Sequence, residues 1–137
     1  MKNRNLSLVV IFMLGLTSFV GCKKSPETTQ KTLIHSMDEY HRVLRPLMHQ
    51  ALPEKNVVAF KENAEELLKC AERLATAEVP PKFENQKTEI DSLVKGILEK
   101  TKTFQQTCKS GTEEEIFNTF MTAHDDYEAL ADIVYEL

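Results

Sequence analysis

The sequence predicts an all-α protein, an up-down-up-down four-helix bundle preceded by a cleaved signal peptide. Three observations carry this prediction. One short apolar run lies near the N-terminus, four later segments repeat apolar residues every three or four positions, and short breakers containing proline or glycine separate those segments. Four helices of similar length with short connections are typical of such a bundle. No segment after residue 22 shows the apolar–polar alternation of a strand.

The N-terminal segment has the pattern of a secretory signal peptide. Lys2 and Arg4 precede an almost unbroken apolar run over 6–20, which at about 15 residues is too short to cross a bilayer comfortably. The run ends in Phe19-Val20-Gly21-Cys22, which resembles the lipobox of bacterial lipoproteins. That resemblance implies cleavage before Cys22 and acylation of this cysteine, and therefore a membrane anchor.

The lipobox resemblance also implies a cellular location and a division of the chain into three segments. Lys23-Lys24 directly after the acylated cysteine implies the periplasmic face of the outer membrane if the organism is Gram-negative. The expected organisation is a signal peptide at 1–21, a lipidated N-terminus and short linker at 22–27, and the helical bundle at 28–137. The protein is thus expected in the cell envelope, with the membrane as a partner through the lipid anchor.

The charge balance argues against nucleic acid as a partner. Removal of 1–21 takes Lys2 and Arg4 away and moves the formal net charge from −4 to −6, with 15 basic and 21 acidic residues left. Phosphate binding needs clustered lysine and arginine side chains, and the acidic mature chain has no such cluster. The remaining 116 residues suffice for one domain.

Local signals set the predicted helix boundaries. The first helical pattern covers about 28–52 and contains Pro46, which predicts a kink or a break there. The second pattern begins after Asn56, a plausible N-cap, and 79–81 (Val-Pro-Pro) separates it from the third. Thr112 followed by Glu115 is the signature of a capping box at the start of the fourth helix.

The two cysteines that remain after lipidation of Cys22 are predicted to be free. Counted from the turn near Pro80, Cys70 lies 10 residues before it and Cys108 lies 28 residues after it. The difference corresponds to about 27 Å along the bundle axis at a rise of ~1.5 Å per residue, whereas a disulfide needs Cα atoms within about 7 Å. We therefore expect two packed thiols.

Two histidines are predicted to share one layer of the bundle. His41 lies 11 residues before the end of the first pattern, and His124 lies 12 residues after Thr112, so both count down from the same end. Gly96 falls near this layer on the third helix and would leave room for a ligand. Imidazole with thioether suits copper, and imidazole with carboxylate suits zinc or iron. The candidate metal ligands are His41, His124, His49, Met37 and Glu128.

The sequence leaves a second interpretation of these histidines open. Each imidazole could be a half-buried side chain that a neighbouring carboxylate, tyrosine or carbonyl satisfies, since Tyr40 precedes His41 and Asp125 follows His124. The protein would then be a non-catalytic envelope adaptor without a cofactor, with an envelope protein as its partner. A phosphate loop, a His-Glu-x-x-His motif and a recognisable Ser or Cys nucleophile are all missing, so we do not expect an enzyme.

One stretch resembles a known group of bundles. The end of the second helix and the connection Val79-Pro80-Pro81-Lys82-Phe83-Glu84 are similar to the helix-two to helix-three connection of periplasmic cytochromes of the b562 and c′ type. The resemblance implies a four-helix bundle, and haem held by a methionine of helix one and a histidine near the end of helix four. Met37 matches the first ligand, but the fourth helix ends Ile-Val-Tyr-Glu-Leu. Haem is therefore less favoured than copper or zinc.

Overall fold

The computed structural model describes residues 32–136 as an all-helical protein of four α-helices, with no strand in that range. The helices are α1 (Leu33–Pro46), α2 (Val57–Ala75), α3 (Lys87–Ser110) and α4 (Glu113–Tyr135). The all-α prediction is thus confirmed as a helical bundle. The signal peptide, Cys22 and the linker at 22–27 lie outside the described residues.

The helix starts follow the predicted caps. The side chain of Asn56 accepts a hydrogen bond from the Ala59 N–H at 3.1 Å. At α4, the Glu115 N–H donates to the Thr112 hydroxyl at 3.3 Å, and the Thr112 N–H donates to the Glu115 carboxylate at 2.7 Å. These bonds satisfy backbone donors that a helix start otherwise leaves without partners. Both predicted caps are confirmed.

Replacing Thr112 with alanine should lower the free energy of unfolding by about 1 kcal/mol, because an N-cap hydroxyl is typically worth about 0.5–2 kcal/mol. Denaturant titration of the full chain in detergent measures the change. Thr119→Ala is a matched control, since the Thr119 hydroxyl donates back to the Glu115 and Ile116 carbonyls within the helix and caps no helix start. Equal losses for the two variants would contradict a capping role of Thr112.

The first helix ends differently from the predicted pattern. A five-residue π-helical turn, Leu47–Ala51, follows Pro46 directly. Proline has no N–H to donate to the carbonyl four residues earlier, and downstream the Leu52 N–H donates to the Leu47 carbonyl, five residues back, at 2.9 Å. The predicted kink or break at Pro46 takes the form of a change from α-helix to a wider π-helical turn, and the backbone stays helical through Pro46 and Leu52. Residues 28–31 of the predicted helix lie outside the described range.

The third helix also starts later than its apolar pattern. Phe83 belongs to a separate 3-10 helix, Pro81–Gln86, with a non-helical backbone at Phe83 itself. Phe83 is still buried, so this short helix covers one end of the core. Nearby, the Leu33 N–H donates to the Glu78 carbonyl at 2.9 Å and ties the start of α1 to the segment after α2.

An aromatic cluster from three helices forms the centre of the core. The Phe60 ring of α2 lies 6.2 Å from Phe104 of α3, and 5.3 and 4.8 Å from Phe117 and Phe120 of α4, between ring centroids. All three pairs have the edge-to-face arrangement that aromatic quadrupoles favour. The cluster also sets the position of His124, whose ring centroid lies 6.4 Å from that of Phe120.

Cys70 and Cys108 are free and buried, as the layout predicts. Burial raises the pKa of the Cys70 thiol, against the opposing effect of Arg73, and raises that of Cys108 to about 11. A protonated, buried thiol is a poor nucleophile. These cysteines therefore act as core residues, and reactive thiol chemistry is not expected of them. Within residues 32–136, no helix is both long and apolar enough to cross a membrane.

Candidate metal and ligand cavity

A cavity of about 600 Å³ opens between α1, the π-helical turn and α4. Its walls carry ionisable, aromatic and apolar side chains from both sides. The lining residues are Asp38, His41, Leu44, Arg45, Met48, His49, His124, Tyr127, Glu128, Ala131, Asp132 and Tyr135. The structure thus brings three of the four histidines of the sequence to one space.

Tyrosine side chains join the two helices that form the cavity walls. The Tyr127 ring of α4 stacks between two rings of α1, with centroids 5.5 Å from Tyr40 and 5.6 Å from His41. The Tyr135 hydroxyl donates to the Asp38 carboxylate at 2.9 Å. Tyr40 in turn shares a buried hydrogen bond of 2.9 Å with Thr101 of α3. These contacts fix the separation of α1 and α4 and therefore the width of the cavity.

His124 is the most enclosed of the three cavity histidines. Its side chain is 10% exposed, and its Nε2 lies 3.6 Å from Glu128 Oε1. Its Nδ1 is buried and has no hydrogen-bond partner. A buried polar atom without a partner costs about 1–3 kcal/mol and is unusual in folded proteins. The His124 side chain can therefore still bind a ligand in this cavity.

Two exposed carboxylates, those of Asp125 and Glu128, lie near the His124 imidazole, and of the two only Glu128 lines the cavity. His124, Asp125 and Glu128 each offer one ligand atom within 4.8 Å of the others, and within residues 32–136 they are the one such group of three or more His, Cys, Asp and Glu side chains. The 3.6 Å between Nε2 and Oε1 exceeds an ordinary hydrogen bond of up to about 3.2 Å. It is close to the ~3.4 Å that separates two ligands on one tetrahedral zinc ion with bonds of about 2.0–2.1 Å.

His41 lies on the α1 wall as an imidazole suited to metal binding. Burial, and next the positive charge of Arg45, lower the pKa of His41, with Asp38 acting in the opposite direction and His49 and His124 adding to the decrease. A lowered pKa keeps the imidazole neutral near pH 7, and the neutral ring is the form that binds metal. His41 and His49 are not members of the close group around His124.

The π-helical turn accounts for His49. On an ideal α-helix His49 falls off the apolar stripe, yet it lines the cavity together with Met48. The sequence contained the signal for this, since a kink at Pro46 would turn the end of the first helix inward. His35 has a different surrounding: its Nε2 lies 3.6 Å from Glu39, but its side chain is 56% exposed and is not among the cavity residues.

Two residues assigned to the histidine layer lie elsewhere. Met37 is fully buried in the hydrophobic core. It is not one of the described residues that line the cavity. Gly96 does not widen the cavity, because the Asp126 carboxylate occupies the space where a Cβ of residue 96 would sit. Asp126 accepts a 2.6 Å ion pair from Lys100 there. The room at Gly96 serves the contact between α3 and α4.

Other cavity residues have weaker signals in the sequence. Asp38, Asp132 and Tyr135 line the cavity but carry no distinctive motif. The direct Arg45 pairing with Asp125 or Glu128 that their charges suggest is not formed within residues 32–136.

No protein-family model, curated protein or solved structure matches this chain.

Proposed function

We propose that this protein is a lipid-anchored, non-catalytic protein of the bacterial cell envelope whose up-down-up-down bundle binds a divalent transition metal in the cavity between α1 and α4. The anchor follows from Phe19-Val20-Gly21-Cys22 and its resemblance to a lipobox. The metal site is supported by one observation: the nine-tenths buried imidazole of His124 lines the cavity and lies within ligand distance of the two exposed carboxylates of Asp125 and Glu128.

The donor set favours zinc over the other ions considered. His124, Asp125 and Glu128 offer one nitrogen and two oxygens, a combination that zinc accepts as readily as imidazole alone. His41 and His49 lie across the same cavity and are the next donors within its walls. Copper remains the second candidate because Met48 adds a thioether to the lining. Met37, the methionine that the b562 resemblance assigns to haem, lies in the core and does not line this cavity.

Replacing His124 with alanine should weaken zinc binding by at least about 10–100-fold, because that is the usual effect of losing a group that only supports a ligand and loss of the ligand itself costs no less. The measurement is a competitive zinc titration of the full chain in detergent against a chromophoric chelator at pH 7. His124 is the ligand chosen because its burial and its carboxylate neighbours are the features that set this site apart.

His35→Ala is the matched control for this experiment. His35 and Glu39 repeat the i, i+4 spacing and the 3.6 Å separation of His124 and Glu128, but on an exposed surface. We expect His35→Ala to bind zinc as the parent does. If His124→Ala also equals the parent, or if the parent takes up no zinc or copper, the metal proposal is wrong and the envelope adaptor without a cofactor takes its place.

A further inference from the structure

The cavity is much larger than a metal ion needs. Its volume of about 600 Å³ lies within the range of about 300–1,000 Å³ that is typical of sites for small organic molecules. His124, Asp125 and Glu128 together offer three donors, which leaves at least one position of a four-coordinate ion open. A bound metal would therefore have both an open coordination position and space beside it.

Arg45 is a cation on this cavity without an acidic partner in residues 32–136. Two of the three acids of the lining have other contacts, since Asp38 accepts from Tyr135 and Glu128 lies beside His124. The third, Asp132, forms no ion pair with Arg45 within the described residues. Arg45 lines the same cavity as His124, so its charge faces the site proposed for the metal. An unneutralised guanidinium would repel a divalent cation in the same cavity.

An anion bound between the metal ion and the Arg45 guanidinium would remove this repulsion. Guanidinium groups bind carboxylates through paired N–H donors, and a carboxylate oxygen is also a good ligand for zinc. The wall around Arg45 includes Leu44, Met48 and Ala131, which provide apolar surface for the body of a small molecule. These features together specify a compact organic acid.

We propose that the cavity binds a small organic carboxylate together with the metal ion, with the carboxylate between Arg45 and the open coordination position and its apolar part against Leu44, Met48 and Ala131. This inference rests on the proposed metal site. Since coupling between two ligands is reciprocal, the carboxylate strengthens metal binding by the same factor as the metal strengthens carboxylate binding.

Zinc titrations of the full chain in detergent, with benzoate or its neutral isostere benzamide, test this coupling. As a monocarboxylate, benzoate offers the metal a single donor group and so competes with the protein only weakly for zinc. We expect benzoate to raise the zinc affinity of the parent about tenfold and benzamide to leave it unchanged. Arg45→Gln should abolish the benzoate effect, while its zinc affinity without benzoate should exceed that of the parent, because the repelling charge is gone.

Arg42→Gln is the control, because Arg42 is an exposed arginine of the same helix outside the cavity lining. It should retain the benzoate effect. Zinc binding that depends on His124 but is indifferent to benzoate, or a benzoate effect that survives in Arg45→Gln, would overturn this inference and leave the metal site intact. Absence of zinc binding with and without benzoate would overturn both proposals.

Discussion

Phe60→Ala is expected to destabilise the protein by about 3–5 kcal/mol, the usual cost of deleting a fully buried phenylalanine. Phe60 is 0% exposed and makes edge-to-face contacts with Phe104, Phe117 and Phe120. The substitution removes the centre of a cluster that joins three helices, and neighbouring helices on all sides limit collapse into the space. For a domain of this size the melting temperature should fall by about 15–30 °C.

Thermal and denaturant unfolding of the full chain in detergent measures this loss. Val58→Ala is the matched control on the same helix, since Val58 is 62% exposed and its truncation should change the free energy of unfolding by less than about 0.5 kcal/mol. A Phe60→Ala loss below about 1 kcal/mol would contradict the central place of this ring in the core.

Alkaline pH should destabilise the protein steeply, because five groups hold their protons more tightly in the folded state than in the unfolded chain. Burial is the main cause in each case: it raises the pKa of Tyr135 to about 12 and that of Cys108 to about 11, and it also raises those of Tyr40, Tyr127 and Cys70. Their contribution to stability is complete below the unfolded values, 9.0 for thiols and 10.0 for tyrosines. It is lost as the pH rises through the folded values.

The fully buried Tyr40 alone should lower the free energy of unfolding by about 1.4 kcal/mol for each pH unit above 10. Denaturant titrations of the full chain between pH 7 and pH 11.5 give this slope. Tyr40→Phe should reduce the slope by about one proton in the alkaline range, whereas Tyr135→Phe, at a side chain that is 40% exposed, should reduce it less. A free energy of unfolding that is constant from pH 8 to 11 would contradict the burial of these hydroxyls.

Much of the fold could be predicted because its determinants are local. The side chains of Asn56 and Thr112 cap the helices that they precede, and the spacing of apolar residues locates α2 and α4. The π-helical turn is different. Pro46 predicts that the helix is disturbed, but the form of the disturbance depends on which carbonyls the following N–H groups reach, and periodicity carries no information on that choice.

For the candidate site, the sequence predicts how high along the bundle axis a residue lies, but not the direction in which its side chain points. Counting residues along the helices placed His41 and His124 at similar heights, and both line the cavity. Counting does not give the rotation of a helix, and one position changes the direction of a side chain by about 100°. Counting therefore does not show that Met37 lies in the core outside the cavity lining, or that Gly96 lies against Asp126 of α4. Contacts between distant segments, such as Tyr135 with Asp38, leave no pattern in the sequence.

The central claim is that His124 holds a metal ion in the cavity between α1 and α4. The most direct test is a zinc titration of the isotope-labelled full chain in detergent, followed by the imidazole nitrogen resonances of its four histidines. We expect the His124 resonances to change until one equivalent of zinc is bound, while those of the exposed His35 stay constant. Unchanged His124 resonances, or equal changes at His35 and His124, would contradict the claim.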